Sequence, residues 1–339
     1  MPFTPSAAAQ AAVLADENHA RSANDPASRL LRAPVIRYLG WAATALALGF
    51  VGVQLSQAAS WDLAAAHLPS LALFAALGAC AYALTGFLLA EAWRQLLGAT
   101  AECSPAGCYY AVYGRTQIVK YLPGNVFHFA GRQILGRQLG HEQATLALAS
   151  ISEVLLLLLV AATLAAPLAP RWLDPGPSMA LGVAALAAAA AGMLTLRVLS
   201  GAAMTTRWRA WTVRITPLRI GRAALLYAAF FVLGGVLLWL LTLSAGGRDV
   251  GTPDLAISIS MLALAWMAGF VTPGSSAGFG VREAVLIMLL QGSLDREAAL
   301  LVALAMRLVT LAGDLLFFAA SLALPLPRTH SEAGSTSID

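Results

Sequence analysis

Two short stretches of this sequence place charged side chains next to a helix-breaking Pro-Gly pair. The first, RTQIVKYLPGNVFHFAGR, spans residues 115–132 and breaks at Pro123 and Gly124. It contains Lys120, which is the only lysine of the chain. Amides that follow such a break are unpaired and carry partial positive charge, so they attract anions at a helix start. Together with the lysine they predict a site for a phosphate or a carboxylate.

Three polar side chains follow the first break and extend this predicted site. Asn125 comes directly after the glycine, and His128 and Arg132 stand four residues apart, on one face of a helix. A metal site at His128 is not expected, because no second histidine, cysteine or carboxylate stands at ligand spacing. We therefore expect these residues to contact an anionic ligand.

The second stretch, GFVTPGSSAGFGVRE at residues 269–283, repeats this chemistry after a break at Pro273. Glycines let a backbone approach a ligand closely, serines can donate hydrogen bonds, and an Arg-Glu pair opens the next helix. The predicted ligand contacts are Gly274, Ser275, Gly278, Gly280, Arg282 and Glu283. A structural alternative is that the glycines only allow two helix segments to pack closely.

Three further charges stand inside long apolar runs: Glu153, Arg307 and Asp314. A charge at the centre of a spanning helix costs about 2.5–3.5 kcal/mol on insertion scales, so each requires a partner or a wet cavity. Arg307 and Asp314 are two helical turns apart and share a face. Two interpretations remain open. Glu153 and Arg307 pair across the bundle and hold it together, or these charges line a substrate path.

The composition identifies the class of protein. Hydrophobic residues make up 59% of the 339 residues and charged residues 11%, whereas soluble domains carry roughly 25% charged residues. The chain is therefore expected to be an integral membrane protein. Its net charge is +4, and its three cysteines are odd in number without CxxC spacing, which favours neither a disulfide framework nor a zinc site.

Hydropathy and the distribution of arginines predict an all-α, polytopic membrane helix bundle. Residues 1–37 are expected to be a disordered cytoplasmic tail, residues 38–325 a transmembrane domain, and residues 326–339 a second cytoplasmic tail. About six full spans are predicted, at residues 38–55, 70–90, 143–166, 178–196, 223–243 and 298–324. Two re-entrant hairpins are predicted at residues 106–140 and 255–290, hinged at the two Pro-Gly breaks.

The two predicted hairpins have opposite orientations. Residues 70–166 and 223–324 each contain a span, a hairpin and a second span, with Glu153 and Arg307 in corresponding second spans. Inverted repeats with interrupted helices in corresponding positions point to a transporter whose site lies near the membrane midplane.

The motifs KYLPGNV at Lys120–Val126 and PGSSAGFGVREAVL at Pro273–Leu286, with Arg132 and Glu153 between them, resemble a known family. The chain is similar to the transmembrane, flippase-like domain of lysylphosphatidylglycerol synthases, a family that includes stand-alone proteins. The resemblance covers about residues 38–325 and implies a lipid-translocating bundle in the bacterial inner membrane. Ser275 and its neighbour stand where relatives often have glycine.

Full-length synthases of that family carry a separate cytosolic domain that transfers an amino acid from aminoacyl-tRNA to phosphatidylglycerol. This sequence shows no counterpart of that domain, so we expect no lysyl transfer and no catalytic residue. No P-loop motif is present either, so transport is expected to be passive, ion-coupled or dependent on a partner.

The expected function is that of a lipid flippase or transporter for an anionic or modified (glyco)phospholipid. The headgroup phosphate would contact Lys120, Arg132, Arg282 and Arg307, with no cofactor and no metal. Expected partners are membrane phospholipids, anionic ones in particular, and a lipid-modifying enzyme or a homo-oligomer, but not nucleic acid. Both termini are expected to be cytoplasmic. A membrane-embedded transferase on lipid-linked substrates and a non-catalytic scaffold for a lipid-modifying enzyme are the alternatives.

Overall fold

The computed structural model describes residues 62–121, 127–168, 215–246, 253–272 and 276–326. The predicted tails at 1–37 and from 327 onward, and the predicted spans at 38–55 and 178–196, lie outside the described residues. So do both Pro-Gly breaks, with Pro123, Gly124 and Asn125 at the first and Pro273, Gly274 and Ser275 at the second.

Every regular element in the described part of the chain is a helix, which confirms the predicted all-α class. Its α-helices are α1 Asp62–Leu96, α2 Ala106–Gln117, α3 Phe127–Gln138, α4 Gln143–Ala165, α5 Pro217–Gly246, α6 Leu255–Val271, α7 Val281–Leu290 and α8 Arg296–Leu322. Short 3₁₀ segments lie at Gly98–Cys103, Ile118–Tyr121, Ala166–Leu168 and Ser276–Gly278.

Four of the described helices are long and apolar enough to cross a membrane, which indicates a membrane protein. These stretches are Ala75–Leu96, Gln143–Leu168, Pro217–Ala245 and Arg296–Leu322. They correspond to the predicted spans at 70–90, 143–166, 223–243 and 298–324.

Two short helices flank each Pro-Gly pair in the sequence and pack on each other. We call α2 and α3 the first helix pair, and α6 and α7 the second helix pair. The α2, α3 and α7 helices have 12, 12 and 10 residues. At about 1.5 Å per residue such helices are too short to cross a bilayer core of about 30 Å.

Two helix boundaries differ from the prediction. The α1 helix begins at Asp62 and runs through Pro69, ahead of the predicted span at 70–90. The α5 helix begins at Pro217, ahead of the predicted span at 223–243, so Arg219 and Arg222 lie in its first turns. Proline suits a helix start because its missing N–H would be unpaired there anyway. The Arg219 guanidinium donates a hydrogen bond of 3.3 Å to the carbonyl of Gly98.

The α1 helix is central to the packing, because both α5 and α8 lie along it. Glycines permit the close approach of α1 and α8. A Cβ atom added at Gly86 would lie 2.4 Å from the Phe317 ring, and one added at Gly313 would lie 2.9 Å from the Ala79 carbonyl. Small residues of this kind allow close helix contacts in membrane proteins, where no hydrophobic force drives helices together.

Candidate anion site between the two helix pairs

A cavity lies where the two helix pairs meet the long helices α1, α4, α5 and α8. The cavity has a volume of about 70 Å³. Four cationic side chains line it: Lys120, Arg132, Arg282 and Arg307. Polar and aromatic side chains complete the wall, namely Tyr82, Tyr113, Gln117, Tyr121, His128, Phe129, Glu153, Phe230, Trp266 and Phe270.

On the side of the first helix pair, Arg132 and Glu153 form a buried ion pair. Arg132 is 1% exposed and also donates 3.0 Å to Gln117 Oε1. The second oxygen of Glu153 accepts a hydrogen bond of 2.8 Å from the Tyr113 hydroxyl. The guanidinium lies over the Tyr113 ring, 3.8 Å from its centroid. The carboxylate is therefore held at both oxygens, as a buried charge requires.

On the side of the second helix pair, Arg307 Nη1 lies 3.3 Å from Glu283 Oε1. The same nitrogen lies 3.4 Å from the Ala277 carbonyl oxygen. Glu283 also accepts a hydrogen bond from the backbone N–H of Gly280, at the start of α7. The Arg307 guanidinium faces the Phe279 ring at 4.6 Å from its centroid. One carboxylate thus orients the arginine and stabilises the helix start.

The interpretation that Glu153 pairs with Arg307 is wrong. We call residues 70–166 the first unit and residues 223–324 the second unit. Within each unit the residue on the long helix pairs with one on the neighbouring short helix: Glu153 with Arg132 and Arg307 with Glu283. The reason is local packing, because α3 packs against α4 and α7 packs against α8. Both residues line the cavity.

A third ion pair joins the two units. Lys120 Nζ lies 2.8 Å from Asp314 Oδ2 on α8, and the Tyr121 hydroxyl donates 2.5 Å to the same oxygen. Both donors belong to the 3₁₀ segment that follows α2. Asp314 is 9% exposed, so this link is largely shielded from solvent. It fixes the first helix pair against the last long helix.

Several buried side-chain nitrogens around the cavity have no hydrogen-bond partner in the described part of the chain. They are Nε of Arg282, Nε and Nη2 of Arg307, Nε of Arg132 and Nδ1 of His128. Buried polar groups that stay unpaired are costly, and most are satisfied in folded proteins. Unpaired guanidinium donors on a shared cavity are the chemistry that receives an anion.

The structure brings most of the predicted site residues together. Lys120, His128, Arg132, Glu153, Arg282 and Arg307 line the cavity, and Glu283 and Asp314 stand behind it as counter-ions. Gly278 and Gly280 have positive φ angles of 72° and 82° in the turn before α7. A Cβ atom at Gly278 would also lie 3.1 Å from Gly269 Cα, so close packing accounts for that glycine.

Sequence reasoning missed the tyrosines and the glutamine of the site. Tyr113 and Gln117 stand four residues apart on α2, and Tyr121 follows after four more. This spacing is a polar stripe on one helix face and could have been detected. The aromatic contributions from α5 and α6, Phe230, Trp266 and Phe270, carry no such signal, because apolar residues fill those helices on every side.

Comparisons with known proteins add no identity to this description. No protein-family model matches the chain, and a search of curated proteins found no significant match.

Proposed function

We propose that this chain is a lipid transporter that moves an anionic or modified phospholipid between membrane leaflets. In this proposal the headgroup phosphate enters the cavity between the two helix pairs. The observation that carries the proposal is the set of unpaired, buried guanidinium donors of Arg282 and Arg307 on that cavity.

Burial explains why an anion fits these donors. Arg307 is 9% exposed, and two of its three nitrogens, Nε and Nη2, have no partner among the described residues. Phosphate oxygens accept bidentate hydrogen bonds from a guanidinium, and such bonds are stronger than neutral ones. A bound phosphate would therefore satisfy donors that the protein itself leaves open.

The arrangement of helices supports transport over simple binding. In the proposal residues 38–55 and 178–196 supply two further spans, which makes six. The two helix pairs are re-entrant hairpins of opposite orientation that belong to an inverted repeat. Interrupted helices at corresponding places in two such repeats form the midplane sites of many transporters. The resemblance to the flippase-like domain of lysylphosphatidylglycerol synthases points the same way and adds the bacterial inner membrane as the location, with both termini in the cytoplasm.

Lipid translocation in proteoliposomes tests the proposal. Fluorescent phosphatidylglycerol is incorporated on both leaflets, and bleaching by a membrane-impermeant reductant reports the fraction that crosses. We expect purified protein to accelerate crossing, and Arg307→Ala to lower the rate by at least about tenfold, because hydrogen bonds to charged groups contribute about 1.5–3 kcal/mol.

Arg137→Ala is the matched control. Arg137 is exposed and lies on α3, the same helix as Arg132, but it does not line the cavity. The translocation rate of the Arg137→Ala variant should equal that of the unsubstituted protein. Crossing no faster than in empty liposomes, for protein that elutes as a single folded species, contradicts the proposal.

A further inference from the structure

We propose that the cavity selects a singly charged phosphodiester whose remaining headgroup is uncharged, and that Arg282 determines this preference. The inference rests on the proposed function, because it assigns the substrate class of the same site. It separates phosphodiester lipids such as phosphatidylglycerol from phosphomonoester lipids such as phosphatidic acid. It also separates them from zwitterionic lipids.

The charges around the cavity leave one positive charge without a counter-ion. Three of the four cations that line it are neutralised by a carboxylate: Lys120 by Asp314, Arg132 by Glu153 and Arg307 by Glu283. Four positive charges less three negative charges give a net charge of +1.

The other ionisable side chains that line the cavity, among the residues the structure describes, leave this charge unchanged. Residues 122–126 and 273–275, which connect the short helices, contain no ionisable side chain. His128 also lines the cavity, and a histidine with an ordinary pKa of about 6.5 is neutral above pH 7.5. The lining tyrosines are neutral at that pH, because the ordinary pKa of tyrosine is about 10.

Arg282 carries the remaining positive charge. Its Nε is buried without a hydrogen-bond partner, and no ion pair is formed by its guanidinium within the described ranges. The neighbouring carboxylate of Glu283 is already used by Arg307 and by the N–H of Gly280. Arg282 is thus the one lining cation, among those the structure describes, that still requires an anion.

A phosphodiester matches both the charge and the donors. It carries one negative charge and two non-bridging oxygens, which can accept hydrogen bonds from guanidinium groups such as those of Arg282 and Arg307, two residues that line the cavity. A phosphomonoester has a second pKa of about 6 and is a dianion at pH 8. Its second charge would be buried without a counter-ion, which is costly. A zwitterionic lipid brings its own ammonium and leaves the positive charge of the cavity uncompensated.

The cavity has room for a group the size of several water molecules. Aromatic rings from Phe230, Trp266 and Phe270 bound the cavity as well. Such a wall offers contact area but no counter-ion for a second negative charge.

Binding competition at pH 8 tests the inference. Detergent-purified full chain is incubated with equal amounts of phosphatidylglycerol, phosphatidic acid and phosphatidylethanolamine of identical acyl chains, and the bound lipids are quantified by native mass spectrometry. We expect phosphatidylglycerol to exceed each competitor by at least about tenfold, as one charged hydrogen bond supplies. Binding of a carboxylate in place of a phosphate is measured in parallel with a fatty acid of the same chain length. This fatty acid should bind more weakly than phosphatidylglycerol.

Charge variants make the test specific. Arg282→Gln brings the net charge to zero and should lower the ratio of phosphatidylglycerol to phosphatidylethanolamine by about tenfold. Asp314→Asn brings it to +2 and should raise the ratio of phosphatidic acid to phosphatidylglycerol. Adding Lys120→Gln to Asp314→Asn restores +1 and should return that ratio to its original value.

The outcomes distinguish this inference from the proposed function. Lipid translocation with equal or greater binding of phosphatidic acid, or an unchanged ratio in Arg282→Gln, overturns the inference and leaves the transporter proposal standing. A chain that neither binds nor moves any of these lipids overturns both. Arg282→Gln removes an unpaired charge and is expected to fold, so the test holds even where Asp314→Asn unfolds.

Discussion

Glu283 and Arg307 form an ion pair in which the short helix carries the anion and the long helix carries the cation, with 3.3 Å between Oε1 and Nη1. In the other unit the charges are exchanged: Arg132 stands on the short helix α3 and Glu153 on the long helix α4. The two units therefore use the same kind of contact with opposite polarity. Each pair holds a short helix to the long helix that follows it in sequence.

Removing one member of the ion pair between Arg132 on α3 and Glu153 on α4 should lower the free energy of unfolding much more than removing both members. Arg132→Leu leaves Glu153 as a buried, unpaired charge, and we expect it to lower the free energy of unfolding by about 3 kcal/mol or more. Arg132→Leu combined with Glu153→Leu should recover at least half of that loss, because no charge is left unpaired. Unfolding in mixed micelles measures both values, with Arg137→Leu on the exposed side of the same helix as control. A double variant as unstable as the single one would contradict this account.

The contact between α1 and α8 should tolerate no extra methyl group at Gly86. A Cβ atom there would lie 2.4 Å from the Phe317 ring, which is itself 1% exposed. Gly86→Ala should therefore lower the free energy of unfolding by about 1–3 kcal/mol, as overpacking does. Gly221→Ala on α5 is the matched control, because no atom lies within 4 Å of its added Cβ. Equal melting temperatures for the two variants would show that the close contact is absent in solution.

Arg115 should stabilise the end of α8. Its Nε lies 3.4 Å from the Ser321 carbonyl oxygen, and Nη2 donates 3.2 and 3.1 Å to the carbonyls of Leu322 and Leu324. Cations near a helix C-terminus satisfy unpaired carbonyls and interact favourably with the helix dipole. We expect Arg115→Ala to lower the free energy of unfolding by about 1 kcal/mol and to speed amide hydrogen exchange in the last turn of α8. Arg115→Lys should retain part of the protection; unchanged exchange in Arg115→Ala would refute the role.

Stability should fall at mildly acidic pH because of His141. This residue precedes α4, is buried, and lies with Nε2 2.9 Å from the Tyr109 hydroxyl. Burial lowers the pKa of His141 below its ordinary value. The unfolded chain then binds the proton more readily, so the free energy of unfolding decreases as the pH falls below about 6.5. His141→Gln should reduce this decrease in thermal melts between pH 7.5 and 5.5, and an identical pH dependence in the variant would argue against it.

The sequence predicted the helices well because their signals are local. Runs of apolar residues, Pro-Gly breaks and the capping aspartates Asp254 and Asp295 mark where helices begin and end. The α4 helix was predicted at residues 143–166 and lies at Gln143–Ala165. Element boundaries failed at two prolines: Pro69 lies inside α1, and Pro217 begins α5.

The choice of partners for the buried charges could not be predicted. Glu153 has several cations within the same bundle, and sequence gives no distance between α4 and any other helix. Only the packing of α3 on α4 decides that Arg132, and not Arg307, neutralises it. The unpaired state of Arg282 follows from this, since a charge can be recognised as unpaired only after every other pair is known.

The central claim is that a headgroup phosphate occupies the cavity between the two helix pairs. The most direct test is an experimental map of the full chain in nanodiscs that contain phosphatidylglycerol. We predict density for a phosphate within hydrogen-bonding distance of the guanidinium groups of Arg282 and Arg307, with acyl density leading away from it, and loss of this density in Arg282→Gln. A well-resolved cavity that holds only water, or whose two arginines are paired with protein carboxylates instead, would contradict the account.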